Sequence, residues 1–416
     1  MNKRLNLVHI SNIDTCGSRF NGFKLSCSLN EEAFNSKIVV WEKRSNSTYS
    51  ALLLRVPLAG KIRRHLFSLE ARFSIQSILF PFSFMLPFNK YFRKADIVHY
   101  HLIHNHFFSL FSLPLLTRLK KSVWTLHDPW ALTGHCIHPF DCIKWKTGCH
   151  KCPFLGTNIP MKKDRTKLMW NIKKFVYGHS KLNLIVASNF MAEMVRHSPL
   201  LRQFNLKVIP FGLDLNVFRS RPNYDIRKSL GIDENSIVVA FRASSSEFKG
   251  LEYIKNCFLN LASLRKVVLL AFDECGILND LKEKYDVIEA GWVENEEELV
   301  KLYNVADFFL MPSRQEAFGM MAIEAMACGK PVIVFDGTAL PEVIDRAEEG
   351  CGGIVVPQGD QKLFNDAVKS LIENDIKRKE LGEKGLQMAQ KYYNENRYVE
   401  GVVCYYRNLL GEGKNE

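Results

Sequence analysis

Short, strand-like runs, apolar at most positions, recur along the chain with helical stretches between them: Arg4 to Ile10, Lys37 to Trp41, Asp96 to His101, Ser122 to His127, Leu182 to Ser188 and Leu206 to Pro210. Runs of that length and composition read as strands, and their alternation with helices predicts a parallel, doubly wound sheet. After Ile209-Pro-Phe-Gly-Leu-Asp214 the pattern restarts, with Ser236 to Phe241, Lys266 to Phe272, Asp286 to Ala290, Asp307 to Met311 and Pro331 to Phe335. Two α/β domains are therefore expected, over 1–210 and 211–393, followed by a helical tail over 394–416 with its helix from about Asn394 to Leu410. No internal repeat or low-complexity stretch interrupts them.

Within the second domain one run carries chemistry as well as pattern: Ser313-Arg-Gln-Glu316-Ala-Phe-Gly319-Met-Met-Ala-Ile-Glu324-Ala-Met-Ala-Cys-Gly329-Lys-Pro331. Asp307 to Met311 ahead of it is a buried strand, Gly319 permits a tight turn, Met320 to Cys328 is helix-compatible, and Gly329 with Pro331 stops the helix. Glu316 then lies in a strand-to-helix loop, and Glu324 sits two turns into the helix, within reach of a ribose. The first amides of that helix, near Gly319, Met320 and Met321, face outward and suit a diphosphate.

These two glutamates and their Pro-Ser-x-x-Glu-x-Phe-Gly and Glu-Ala-Met-Ala-x-Gly-x-Pro-Val setting resemble the E-x7-E motif of the retaining GT-B glycosyltransferases, specifically the large GT4-like group 1 family. The resemblance implies a GT-B fold, with two Rossmann-like, doubly wound domains facing a cleft and the tail packing back on the first. Pro210-Phe-Gly-Leu-Asp resembles the hinge between them. A nucleoside-diphosphate sugar is the implied co-substrate, with the donor in the second domain and a saccharide acceptor on the side of the first. Enzymes similar to this one dispense with a catalytic metal, because helix dipole and cations take up the leaving-group charge.

Further positions follow from the same resemblance. Phe241-Arg242-Ala-Ser-Ser-Ser-Glu-Phe-Lys249-Gly250 looks like the family's Gly-Arg-x4-Lys-Gly loop, whose Arg and Lys contact the donor diphosphate, although here Phe replaces Gly and the spacing is longer. Val293 falls where the family holds the nucleobase through its backbone, and its neighbour Trp292 reads as a core residue. His127, ending a strand at Trp124-Thr-Leu-His127-Asp128, matches the histidine that meets the donor sugar near the acceptor hydroxyl. Catalytic roles are thus expected of Glu316, His127 and Lys249. His99 and His101 are expected on alternate faces of their strand, with at most one pointing inward. Near the N-terminus only Gly17, and in part Ser18, match the family's Gly-Gly loop, while Cys16 and Arg19 depart from it.

Charge and cysteine content change the picture in the first half. Residues 1–210 hold 31 Lys and Arg against 10 Asp and Glu, and residues 211–416 hold 25 against 34, so the halves carry +21 and −9. A half that basic faces an anionic partner. The segment Lys61 to Lys94, with basic ends and a Phe-rich, Pro-broken middle, suits an anionic membrane surface, and packing into the first domain's core is the alternative. The chain enters a strand almost at once and holds no membrane-length apolar run, which predicts a cytoplasmic protein, peripheral on the inner face of the cell membrane, without a signal peptide. Eleven cysteines in a reducing compartment argue against a disulfide framework. Four of them, Cys136, Cys142, Cys149 and Cys152, fall in the loop 134–153 with C-x5-C-x6-C-x2-C spacing, which suits a structural zinc, with His135, His138 and His150 as substitute ligands. Reduced thiols are the alternative.

A subset of group 1 enzymes, resembling those of exopolysaccharide and colanic-acid-type clusters, carries such an insert. The chain is accordingly expected to be a hexosyl-type transferase extending a surface polysaccharide on a lipid-linked acceptor. Two rival readings differ in class. A non-hydrolysing sugar-nucleotide epimerase would share the fold. A nucleic-acid binder would use the basic half and a zinc knuckle, but it leaves Glu316, Glu324 and Lys249 unexplained, so no nucleic acid is expected.

Overall fold

The computed structural model describes residues 4–15, 17–31, 34–54, 58–157, 159–263, 265–346 and 350–411, so Cys16 lies outside the described residues. The chain divides into two compact units, Met1–Ile209 with Val399–Glu416, and Pro210–Tyr398.

The first unit is built on β1 (Asn6–Ile13), β2 (Asn35–Glu42), β3 (Ser50–Leu52), β4 (Ile97–Tyr100), β5 (Lys121–Leu126), β6 (Asn183–Val186) and β7 (Asn205–Val208). These strands pair in parallel in the order β3-β2-β1-β4-β5-β6-β7. Helices on the sheet faces bury its central strands, and all four residues of β4 are inaccessible to solvent. That environment explains why these strands read as continuous apolar runs rather than alternating ones. Two histidines interrupt the apolar lining, His9 on β1 and His99 on β4, paired directly across the sheet.

The second unit repeats the plan with β8 (Ile237–Ala243), β9 (Val267–Asp273), β10 (Asp286–Gly291), β11 (Phe308–Met311), β12 (Val332–Phe335), β13 (Asp345–Arg346), β14 (Gly350–Cys351) and β15 (Gly353–Val356). Its sheet runs β10-β9-β8-β11-β12-β15, while β13 and β14 form a separate antiparallel pair. In both sheets the strand order reverses beside the first strand, between β1 and β4 and between β8 and β11. Such a reversal sends the loops that follow the two strands to opposite faces and opens a crevice outside their carboxyl ends. Among the described residues no helix is long and apolar enough to cross a membrane.

Candidate active site

In the second unit, the residues singled out from sequence gather at the switch point between β8 and β11. Lys249 closes a short turn, Glu247–Lys249, on the loop leaving β8, and its Nζ bonds Oε1 of Glu316 on the loop leaving β11. Both side chains are largely withdrawn from solvent. The two loops touch because of Gly250: it has φ +71°, and a Cβ there would stand 2.0 Å from the carbonyl oxygen of Pro312. A backbone bond from Arg314 N to Phe248 O, 2.8 Å, holds them together.

Gly319 then starts the helix Met320–Ala327 in a left-handed conformation, φ +112°, that other residues adopt only under strain. The amides of Ala322 and Ile323 already donate to the carbonyl of Gly319, and Met320 and Met321 form the partly exposed first turn. Glu324 is 1% exposed and accepts a hydrogen bond from Tyr303 Oη at 2.9 Å. Arg242, near the end of β8, donates from Nε to Oδ2 of Asp273 at 2.7 Å. Asp273 ends β9 with φ +84°, a conformation an aspartate adopts only where its surroundings enforce it. Trp292 corrects the sequence reading: at the carboxyl end of β10 it is 61% exposed rather than part of a core, and Val293 beside it is half-buried.

In the first unit a row of imidazoles runs from the middle of β1 to the carboxyl ends of β4 and β5. His99 and His101 do not alternate faces. Residues two apart along a strand direction project to the same side, and these two rings lie 4.1 Å apart, centroid to centroid. His9 Nδ1 is 3.2 Å from His101 Nε2, and His101 Nδ1 is 3.2 Å from His127 Nε2. His99 bonds outward, to Tyr406 Oη and to Thr125 Oγ1, both at 2.6 Å. Burial holds all four neutral, pushing His9 down to about 3 and His127 to about 4, and His99 and His101 well below the usual histidine range. Phe20, on the loop that begins at Gly17, lies with its ring centroid 5.7 Å from that of His127. Beside them His104 Nε2 meets Asp128 Oδ2 at 3.4 Å and stacks on Trp130.

The four loop cysteines share one pocket. Cys136, Cys142, Cys149 and Cys152 line one small pocket together with His135 and His150, and none is in a disulfide. Cys149 Sγ accepts from Gly134 N at 3.1 Å, and Cys152 Sγ lies 3.6 Å from His135 Nε2. Burial pushes the thiols of Cys136 and Cys149 up to about 12 and about 11. Among the described residues, the one set of three or more His, Cys, Asp or Glu with ligand atoms all within 4.8 Å of one another is His9, His99 and His101, so the thiols stand more openly than a closed metal shell. Sequence reasoning passed over Lys173, one lysine among several in the helix Thr166–Gly178. It is fully buried, donates to the carbonyls of Trp130 and Thr133, and sits 3.5 Å over the Trp130 ring. Asp273 and Tyr303 were missed as well. The first carried one signal, a carboxylate ending a strand-like run; the second, in a helix, carried none.

Comparison with known proteins gives this arrangement its class. The model of the glycosyl transferases group 1 matches residues 223–388, and that of glycosyltransferase family 4 matches residues 44–217. The chain belongs to this group and is a GT4-like glycosyltransferase with two parallel-sheet α/β domains of the GT-B kind. It is 24% identical over 326 residues to the putative colanic acid biosynthesis glycosyl transferase WcaC of Escherichia coli K12, an alignment spanning 75% of this chain and 76% of the relative. Matches to several other curated relatives, D-inositol 3-phosphate glycosyltransferases among them, span about half of those proteins' lengths. Its fold is similar to that of sucrose-phosphate synthase from Thermosynechococcus elongatus, with TM-score 0.66 at 17% identity over 98% of this chain and 100% of that one. It is also similar to Anabaena Alr3699/HepE in complex with UDP and glucose, with TM-score 0.63 at 13% identity over 97% and 99%. At such identities the likeness speaks to the fold.

Proposed function

We propose that this glycosyltransferase moves a sugar from a nucleoside-diphosphate donor to a lipid-linked saccharide acceptor, with retention at the anomeric carbon, in surface polysaccharide biosynthesis. One observation carries the reading: a lysine and a glutamate, withdrawn from water, are bonded across the switch point of the second sheet. A diphosphate entering there offers Lys249 a stronger partner than Glu316, since it brings two charges and several acceptor oxygens. Its charge is also met by Arg242, once that side chain leaves Asp273, and by the amides of Gly319, Met320 and Met321 at the helix start. Glu316, released from Lys249, takes hydroxyls of the donor sugar. Glu324, its orientation fixed by Tyr303, takes the ribose, and the backbone at Val293 takes the base. On the acceptor side we assign His127 to the transferred sugar and the Gly17 loop to the sugar or acceptor.

The bond from the anomeric carbon to the β-phosphate oxygen breaks first, and the diphosphate departs with the electron pair. The acceptor hydroxyl adds to the same face, and its proton passes to the phosphate oxygen that has just left. Lys249 and the helix amides stabilise charge that develops only as that bond breaks, so they act on the rate. Sugar transfer by Lys249→Ala is expected to fall roughly 100-fold or more in kcat/KM, and the product's anomeric configuration, read by NMR, should match the donor's. An unimpaired variant overturns the role of Lys249; an inverted product overturns retention.

We take zinc as the occupant of the cysteine loop on the chemistry of its donors, four thiols lining one pocket, which would have to draw closer than they stand to close a metal shell. Bound there, the metal would order the loop, with Cys136, Cys142, Cys149 and Cys152 as ligands. Freshly purified protein is expected to contain about one zinc per chain by elemental analysis, and a metal-free, folded preparation contradicts the assignment.

Membrane attachment through an anionic surface is supported by Lys61 to Lys94. Ile62, Phe67, Phe73, Phe84 and Phe88 are exposed there, interleaved with exposed Lys61, Arg64, Arg72, Arg93 and Lys94. Exposed rings bordered by cations suit acyl chains beneath anionic headgroups. Co-sedimentation with anionic vesicles, weakened by salt and absent with neutral ones, is the expected result. Equal binding to both kinds, or none at low salt, removes the membrane from the account.

A further inference from the structure

We propose that Gln358 is a positioning residue for the sugar transfer: its side-chain amide braces the loop that carries Glu316, so that the glutamate keeps its place when Lys249 turns to the diphosphate. The catalytic part rests on the function proposed above; the brace itself does not.

Between β11 and the helix Met320–Ala327 the chain runs through 312–319 without regular structure. Ser313 and Gln315 are buried there, at 2% and 9% exposure. Backbone groups of a loop withdrawn from water must find partners elsewhere. Arg314 finds them on both sides. Its N–H donates to the carbonyl of Phe248, as described above, and its own carbonyl accepts from Gln358 Nε2 at 3.0 Å. Two residues further on, the carbonyl of Glu316 accepts from Ala339 N at 3.1 Å. These partners come from the loops leaving β8, β15 and β12, which the order β8-β11-β12-β15 sets side by side at one edge of the sheet. Two of the three bonds join backbone to backbone. The third depends on a side chain, and so on the identity of residue 358.

Gln358 is itself held. Its N–H donates to Asp336 Oδ1 at 2.7 Å, and the N–H of Asp336 donates to the carbonyl of Val356 at 2.9 Å. Room for the amide comes from Gly337, which has φ +72°: a Cβ there would stand 2.5 Å from Gln358 Oε1. The amide's orientation follows from its partner, because the Arg314 carbonyl can only accept and therefore faces the NH2 group.

The consequence concerns the exchange of partners at Lys249. If the bond between Lys249 and Glu316 alone held the loop, the lysine's departure to the diphosphate would release it. With Arg314 pinned at both backbone groups and Glu316 at its carbonyl, the carboxylate is freed to turn while its backbone stays. A displacement of about 1 Å at such a group can cost roughly 100-fold in rate, so the brace acts on turnover rather than on nucleotide binding.

The first arm of the test needs no substrate. Hydrogen exchange of the full-length wild type and of Gln358→Met is followed by mass spectrometry. Peptides over 312–319 are expected to exchange roughly fivefold faster in the variant, as the loss of one hydrogen bond implies, while those over 320–327 keep their rates. Unchanged exchange in the loop, or faster exchange across the whole second unit, overturns the brace whatever the activity. The second arm is sugar transfer. Gln358→Met is expected to show kcat roughly tenfold or more below the wild type, with donor KM within about threefold. Gly337→Ala reaches the same amide by crowding Oε1 and is expected to lower kcat likewise, with the double variant no slower than the slower single one. Losses that multiply in the double variant overturn the shared brace. A kcat equal to that of the wild type, alongside a loosened loop, overturns the positioning role and leaves the assignment of Lys249 standing. No transfer by the wild type refutes the proposed function and with it the catalytic part, and the exchange arm still decides the brace.

Discussion

The contact between Lys249 and Glu316 is the constraint on which the rest of the second unit depends. Two loops leave adjacent parallel strands at the point where strand order reverses, and a charge on each is held against the other out of water. Removing one partner of such a pair leaves an uncompensated buried charge, at a cost of about 3 to 5 kcal/mol. In the function proposed above, an incoming diphosphate would offset that cost by replacing Glu316 as the anion beside Lys249. The neighbouring Arg242–Asp273 pair repeats the device. Gly250 and Gly319 are what let the backbone bring these groups so close, the first by admitting the Pro312 carbonyl, the second by turning the chain into the helix that holds Glu324.

The two units solve different physical problems. Ion pairs dominate the second unit's candidate site, as a site for a departing anion requires. In the first unit, although its chain is strongly basic, the four histidines on and just after β1, β4 and β5 are held neutral by burial. The excess of lysine and arginine lies elsewhere, notably on the exposed faces around Lys61 to Lys94.

Much of this was legible in the sequence where local pattern and chemistry coincide. The apolar runs that became β4, β5, β8, β9 and β11 were evident because strands buried on both faces have no polar alternation to blur them. The positions of Glu316 and Glu324 were evident because Gly319, Gly329 and Pro331 fix the turn and the helix length. What stayed hidden was partnership across distance. Nothing near Arg242 announces Asp273, and nothing near Glu324 announces Tyr303, because each partner comes from another strand or helix. The three-residue β3, the two-residue β13 and β14 and the short β15 were too short to register. His99 and His101 were misjudged by a periodicity error, and His9 went unnoticed within an ordinary strand, so the imidazole row was invisible until the sheet placed it.

The central claim is that the second unit binds a nucleoside diphosphate through the loops after β8 and β11. Calorimetric titration of UDP, GDP and ADP against the wild type and Glu324→Ala tests it most directly. The account predicts selective binding of one diphosphate, weakened by the substitution. Binding of none to the folded wild type, or equal binding to both proteins, would contradict it.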